Sequence, residues 1–103
     1  MSISKNGINY SDVEYSTEWL DLSKYKILEP KVGVFIFSNF FYQIKFIGKS
    51  NDSEIVRAIE GAINDGKSLG SSKVKVIYTK NNVKAFKLQK RLIVKYNPPL
   101  NRE

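Results

Sequence analysis

A chain of 103 residues holds one domain with one core, burying somewhat less than about 70% of its unfolded surface, and leaves no length for a second. Hydrophobic content of 42% with 26% charged residues excludes a disordered chain, and the absence of cysteine and histidine excludes disulfides, thiolate chemistry and imidazole bases or ligands. The net charge of +7 is uneven: residues 1–31 carry five acids against four lysines, and residues 32–103 carry thirteen bases against five acids, a surplus of +8. Such a field suits a polyanion, with solubility as the plain alternative.

Residues 1 to 12, rich in Ser, Asn and Asp, are expected to be loosely ordered. Met1 to Gly7 lack the apolar stretch and cleavage site of a secretory signal, so a cytoplasmic protein is expected. Tyr15, Trp19, Leu20, Leu22 and Tyr25 give the following residues something to bury, and 1–30 reads as an N-terminal arm packed on a domain spanning 31–103. The longest apolar run, Val34 to Phe37, is far short of the ~20 residues of a membrane helix, so no membrane partner is expected.

From Lys31 to Ser38 a strand is predicted with Gly33, Phe35 and Phe37 on one face and Val34 and Ile36 on the other, both covered. Asn39 offers a turn, and Tyr42 to Gly48 completes a hairpin in which Tyr42 and Phe46 share a face. Asn51-Asp52-Ser53 with Glu54 resembles a capping box, followed by Ile55, Ile59, Ala62 and Ile63 at helical spacing until Gly66. After Gly70-Ser71-Ser72, the alternation of Lys73 to Tyr78 predicts a third, half-exposed strand. A last helix from Asn82 to Tyr96 should bury Ala85, Leu88, Leu92 and Tyr96, with Lys84, Lys87, Arg91 and Lys95 along another stripe, before Pro98 and Pro99 stop it. The sum is an α+β fold, β-β-α-β-α, with a three-stranded, mostly antiparallel sheet flanked by helices.

Gly33-Val34-Phe35, Phe46-Ile47-Gly48-Lys49 and the tail Leu92 to Asn101, with Tyr96-Asn97-Pro98 inside it, occur in this order. Together they resemble the GIY-YIG nuclease superfamily, and the tail resembles that of the nuclease domain of bacterial excision-repair proteins. The likeness covers roughly residues 30 to 101 and implies a GIY-YIG-like fold. In active members, the resemblance implies, two tyrosines activate and position water, an arginine on the first helix contacts phosphate, and a glutamate on the last helix holds Mg²⁺ or Mn²⁺. The tyrosine positions here are Phe35 and Phe46, which have no hydroxyl, and the glutamate position is Gln89, which offers a neutral carbonyl where a hard cation prefers a carboxylate. Arg57 stands nine residues after Gly48, where the family arginine stands eight after and Val56 is found; an insertion in the turn at Asn51-Asp52-Ser53 would restore it.

The catalytic positions Phe35, Phe46, Arg57 and Gln89 thus read as degenerate, with no metal or other cofactor expected unless the domain is active, when Mg or Mn would serve. Phe35 and Phe46 either fill the old cleft with apolar rings or stack on bases. Gly33 and Gly48 serve either close backbone packing or function, and Gln89 reads as a hydrogen-bonded carboxamide. Arg57 contacts either phosphate or the acids Glu54 and Glu60. Lys49, Arg57, Lys84, Lys87, Arg91, Lys95 and Asn101 form the candidate nucleic-acid surface, against a solvated helix face for the lysines and a turn cap for Asn101. Three functions stay open: a non-cleaving binder of DNA or RNA, a protein-interaction module docking through its arm or filled cleft, and an endonuclease that recruits another acid such as Glu60.

Overall fold

A computed structural model describes residues 13–51 and 53–101. The expectation of loose order over 1 to 12 lies outside them, as does Asp52. The elements run β1 (Val13–Ser16), β2 (Leu20–Asp21), a 3-10 segment (Leu22–Ile27), β3 (Gly33–Ser38), β4 (Ile44–Lys49), α1 (Ile55–Asn64), β5 (Lys73–Thr79), α2 (Asn82–Tyr96) and a 3-10 turn (Pro99–Asn101).

β3 and β4 form the expected hairpin, with Phe35 opposite Gly48 and Phe37 opposite Phe46. β5 pairs antiparallel with the other edge of β3, matching Phe35 to Val76. The sheet has five strands rather than three, because β1 and β2 both pair antiparallel with the far side of β5. Thr17 bridges the gap between them: its N–H donates to Val76 O at 2.8 Å and its Oγ1 accepts from Val76 N at 3.0 Å. β5 is therefore central, and the expectation of a half-exposed strand is corrected: Val74, Val76, Ile77, Tyr78 and Thr79 are all buried. The arm covers the edge that a three-stranded sheet would leave open.

The sheet separates two cores. On one face Phe35, Phe37, Val74, Val76 and Tyr78 pack against Leu28 and against Ile55, Ile59 and Ala62 of α1. On the other, Val34, Ile36, Ile47 and Ile77 meet Ala85, Leu88 and Leu92 of α2. This is why all six residues of β3 are buried. Tyr96, expected in the stripe of α2, is instead exposed at the last turn of the helix. Tyr42 does not lie on the strand beside Phe46 either: it occupies the hairpin loop with φ 62°, and its ring sits 5.5 Å from that of Trp19.

The helix ends follow local chemistry. Glu54 itself caps α1, accepting from Arg57 N at 2.7 Å, which corrects the capping box expected to start at Asn51. At the other end Gly66 has φ 81°, with bonds from Gly66 N to Ile63 O and from Lys67 N to Ala62 O, a Schellman ending that only a residue tolerant of left-handed backbone fits easily. Asn81 caps α2 by accepting from Lys84 N at 2.9 Å. Asn97 closes the helix in the left-handed region, φ 45° and ψ 56°, before Pro98 and Pro99 prevent its continuation.

Candidate nucleic-acid cleft

The closing turn after Pro98 returns the chain to β4, which is an edge strand of the sheet. There Asn101 meets both backbone groups of Ile47, its Oδ1 accepting from Ile47 N at 2.8 Å and its Nδ2 donating to Ile47 O at 2.9 Å. Gln89 of α2 donates to the same carbonyl from Nε2 at 3.2 Å. Beside these contacts a cleft of about 440 Å³ opens between α1, β4 and α2. Phe35, Phe46, Gly48, Lys49, Arg57 and Gln89 all line it. The structure thus gathers Phe35, Phe46, Arg57 and Gln89, the four positions that the resemblance singles out, in one place, together with Lys49.

Arg57, not Val56, reaches the cleft; Val56 packs against the core. The two acids offered as ion-pair partners are engaged differently, Glu54 on the backbone of Arg57 and Glu60 as acceptor from the Tyr25 hydroxyl at 3.2 Å. Phe46 lies 6.0 Å from both Phe35 and Phe37, centroid to centroid, and Phe35 lies 5.0 Å from Phe37, so the rings form one aromatic floor. Phe35 is buried and Phe46 half-buried.

Sequence reasoning missed several lining groups. Lys67, placed by the Schellman ending of α1, sets its Nζ 5.7 Å from the Phe46 ring and donates to Leu100 O at 3.3 Å. Asn51, Ser53 and Asp65 also line the cleft. Lys49 Nζ lies 5.8 Å from the ring of Phe86 on α2, and Lys90 Nζ lies 5.1 Å from it, which extends the basic wall. As lining groups, Asn51, Ser53, Asp65 and Lys67 carried no signal beyond residue type, because caps and loop paths set their positions. The predicted helix stripe is elsewhere: Lys84, Lys87, Arg91 and Lys95 do not line the cleft.

A polar node fixes the end of the hairpin next to Lys49. Ser50 is fully buried; its Oγ accepts from Gly33 N at 3.0 Å and donates to Asn82 Oδ1 at 2.8 Å. Asn82 Nδ2 in turn donates to Asn51 O, and Lys49 Nζ to Asn51 Oδ1. Gly33 allows β3 to approach β5 here, since a Cβ would stand 2.9 Å from Tyr78 Cα.

Mg²⁺ is held through one or two carboxylates, with water and substrate phosphate completing its shell. The described lining supplies a single carboxylate, Asp65, with Gln89 as a neutral amide, and among the described residues no three Asp, Glu, His or Cys side chains cluster. The position of the family glutamate itself, Gln89, supplies no anionic oxygen to a cation.

The fold, the hairpin and the cleft together define the chain as a GIY-YIG-like domain. It is similar to the GIY-YIG N-terminal endonuclease domain of UvrC from Thermotoga maritima bound to its catalytic divalent cation, magnesium, with 26% identity, a TM-score of 0.67, and 79% of this chain and 96% of that one covered. A tyrosine-to-phenylalanine point mutant of the same domain, also bound to the catalytic divalent cation, matches at 27% identity and a TM-score of 0.67 over 80% of this chain and 96% of that one. No protein-family model and no curated protein matches the chain. Among the described residues no helix is long and apolar enough to cross a membrane.

Proposed function

We propose that this chain is a nucleic-acid-binding domain, with DNA as its first substrate class, on a GIY-YIG-like scaffold that no longer cuts. The observation that carries the reading is the cleft itself: Lys49, Arg57 and Lys67 surround a floor of Phe35 and Phe46, with Gln89 where the family implies a metal-binding glutamate. The cations keep the means of holding a phosphodiester, while the general base and the metal ligand are gone. Losing base assistance alone costs roughly 10²–10⁴ in rate, and losing the metal removes stabilisation of the leaving oxygen.

In this reading Arg57 and Lys49 hold phosphate oxygens. The half-buried Phe46, under the Lys67 ammonium, meets a base or sugar at the floor. Gln89 and Asn101 hold the edge of β4 and keep the wall in place. The amide of Asn101 is engaged by Ile47 at both ends, which favours that structural role over contact with nucleic acid. A cutting site rebuilt around Glu60 finds no support, since Glu60 is bonded to Tyr25 and does not line the cleft.

The test is anisotropy of labelled duplex DNA with Mg²⁺ at low and raised salt, the same samples then being run on a denaturing gel. Salt-sensitive binding with intact strands is expected. Affinity that does not respond to salt sinks the binding reading, and metal-dependent nicking that disappears in Arg57→Ala restores the enzyme.

A further inference from the structure

The hairpin loop between β3 and β4 displays three aromatic side chains in a row, Phe40, Phe41 and Tyr42, with exposures of 70%, 78% and 53%. Tyr42 packs on Trp19, but Phe40 and Phe41 remain mostly exposed, and bunched apolar rings at a loop tip mark an interaction surface. The loop is also held in shape. Asn39 Oδ1 accepts from Phe41 N at 2.9 Å and from Gln43 N at 3.0 Å, while Asn39 O accepts from Tyr42 N at 3.0 Å. One residue thus closes the loop and presents the rings in a fixed array, Phe40 and Phe41 edge to face at 5.6 Å.

Ammonium groups accompany the rings. Lys73 Nζ lies 6.0 Å from the Phe40 centroid while paired with Asp21 at 2.9 Å, and Lys75 Nζ lies 5.9 Å from Trp19, whose own ring is packed by Tyr42. We infer that this tip is a stacking platform for the unpaired bases of a single-stranded nucleic acid, with Lys73 and Lys75 serving the adjoining phosphates. The inference rests on the nucleic-acid reading above and narrows its substrate to one with an unpaired segment.

Two features favour this occupant. Rings interleaved with cations match a strand that offers a π-face and a phosphate at each nucleotide. Protein interfaces, by contrast, are depleted in lysine, and here Lys73 and Lys75 stand directly against the rings. The platform is separate from the cleft: none of Trp19, Phe40, Phe41, Tyr42, Lys73 and Lys75 lines it.

Trp19 is the chain's single tryptophan, so its fluorescence reports on the tip alone. A labelled oligothymidylate of about 20 nucleotides, longer than one binding site, should quench Trp19. The double variant Phe40→Ala, Phe41→Ala removes only exposed rings; an unchanged melting temperature verifies its fold. It should bind that oligomer at least about tenfold more weakly, as expected when two stacked bases lose their rings, while its affinity for blunt duplex changes less than about twofold. Equal single-strand affinity in wild type and variant, with duplex binding intact, overturns the platform and leaves the cleft reading standing. Wild type that binds neither oligomer nor duplex overturns both. If the variant loses only binding to anionic phospholipid vesicles, the tip is a membrane contact and the inference fails.

Discussion

The ring of Phe35 occupies the space that a side chain at Gly48 would need: the two are cross-strand partners, and a Cβ on Gly48 would fall 2.6 Å from Phe35 Cε1 and 2.8 Å from Cε2. Phe35 is buried and its ring packs against Phe37 and Phe46, so it yields only by giving up those contacts. Gly48→Ala should therefore destabilise the fold by about 1–3 kcal/mol, the usual cost of overpacking. Denaturant unfolding measures it. Shortening the ring in Phe35→Leu should recover part of that loss, giving a coupling of about 0.5 kcal/mol or more in the double-mutant cycle; additive losses would show that Gly48 is needed for some other reason.

Asn101 completes an edge strand. Replacing it with Ala leaves Ile47 N, on a buried residue, without its acceptor and removes one of the two donors to Ile47 O. A cost of about 1–3 kcal/mol follows from the orphaned donor. Amide exchange should accelerate at Ile47 beyond the rise expected from the global loss of stability, because the opening is local.

Much of this arrangement was legible in the residues. The hairpin and the bounds of α2 followed from periodicities of two and 3.6, and the three landmarks gave the scaffold. Other features depended on single backbone choices. Tyr42 fits a strand pattern, yet the Asn39 clamp draws it into a left-handed turn. Strands of four and two residues leave too short an alternation to read, so the arm's pairing with β5 stayed hidden, and with it the central place of that strand. Lys67 reaches the cleft through the ending of α1, and Arg57 faces it while Val56 packs on the core of a helix capped at Glu54. Site chemistry by residue type was readable; which cations share the cleft was not.

Gln89 donates to a carbonyl that already accepts from Asn101. Gln89→Glu would set a carboxylate against that oxygen, losing a hydrogen bond worth about 1 kcal/mol and adding repulsion. The variant should melt below wild type in EDTA and recover with millimolar Mg²⁺ or Mn²⁺, as a ligand that binds only the folded state raises stability. Wild type should show no such rise. A wild-type melting point that climbs with Mg²⁺ would mean the amide site holds a cation after all.

Glu29 joins the arm to the sheet. Its carboxylate accepts from the Tyr15 hydroxyl and pairs with Lys31 at 3.5 Å, and its backbone carbonyl accepts from the Tyr78 hydroxyl at 2.9 Å. The Tyr15 bond holds the Glu29 carboxyl below its ordinary value of 4.5, and the same bond pushes the Tyr15 phenol from 10.0 up to about 12. A depressed acid contributes stability above its ordinary value and loses it as pH falls; a raised phenol contributes below 10.0 and loses it as pH rises towards about 12. Tyr15→Phe should flatten the alkaline limb of the stability profile in part, because burial also raises the Tyr25 and Tyr78 phenols. The acid limb should flatten only in part, because Asp21, held low by its bond with Lys73, still titrates there. An alkaline limb unchanged in Tyr15→Phe would place the responsible phenol elsewhere.

Arg57 and Lys49 differ in what surrounds them, and binding should reflect it. The Arg57 side chain is exposed at the cleft mouth, whereas Lys49 is half-buried, bonded to Asn51 Oδ1 and 3.3 Å from Ser50 O. If both hold phosphate, each alanine variant should lower the slope of log affinity against log salt by about one. Only Lys49→Ala should also lower the melting temperature, because it breaks into the node that includes Ser50 and Asn82. The Arg57 variant then isolates electrostatics from folding. A full salt slope retained in Arg57→Ala would remove the cleft from the binding surface and leave the cations of α2 to account for any affinity that remains.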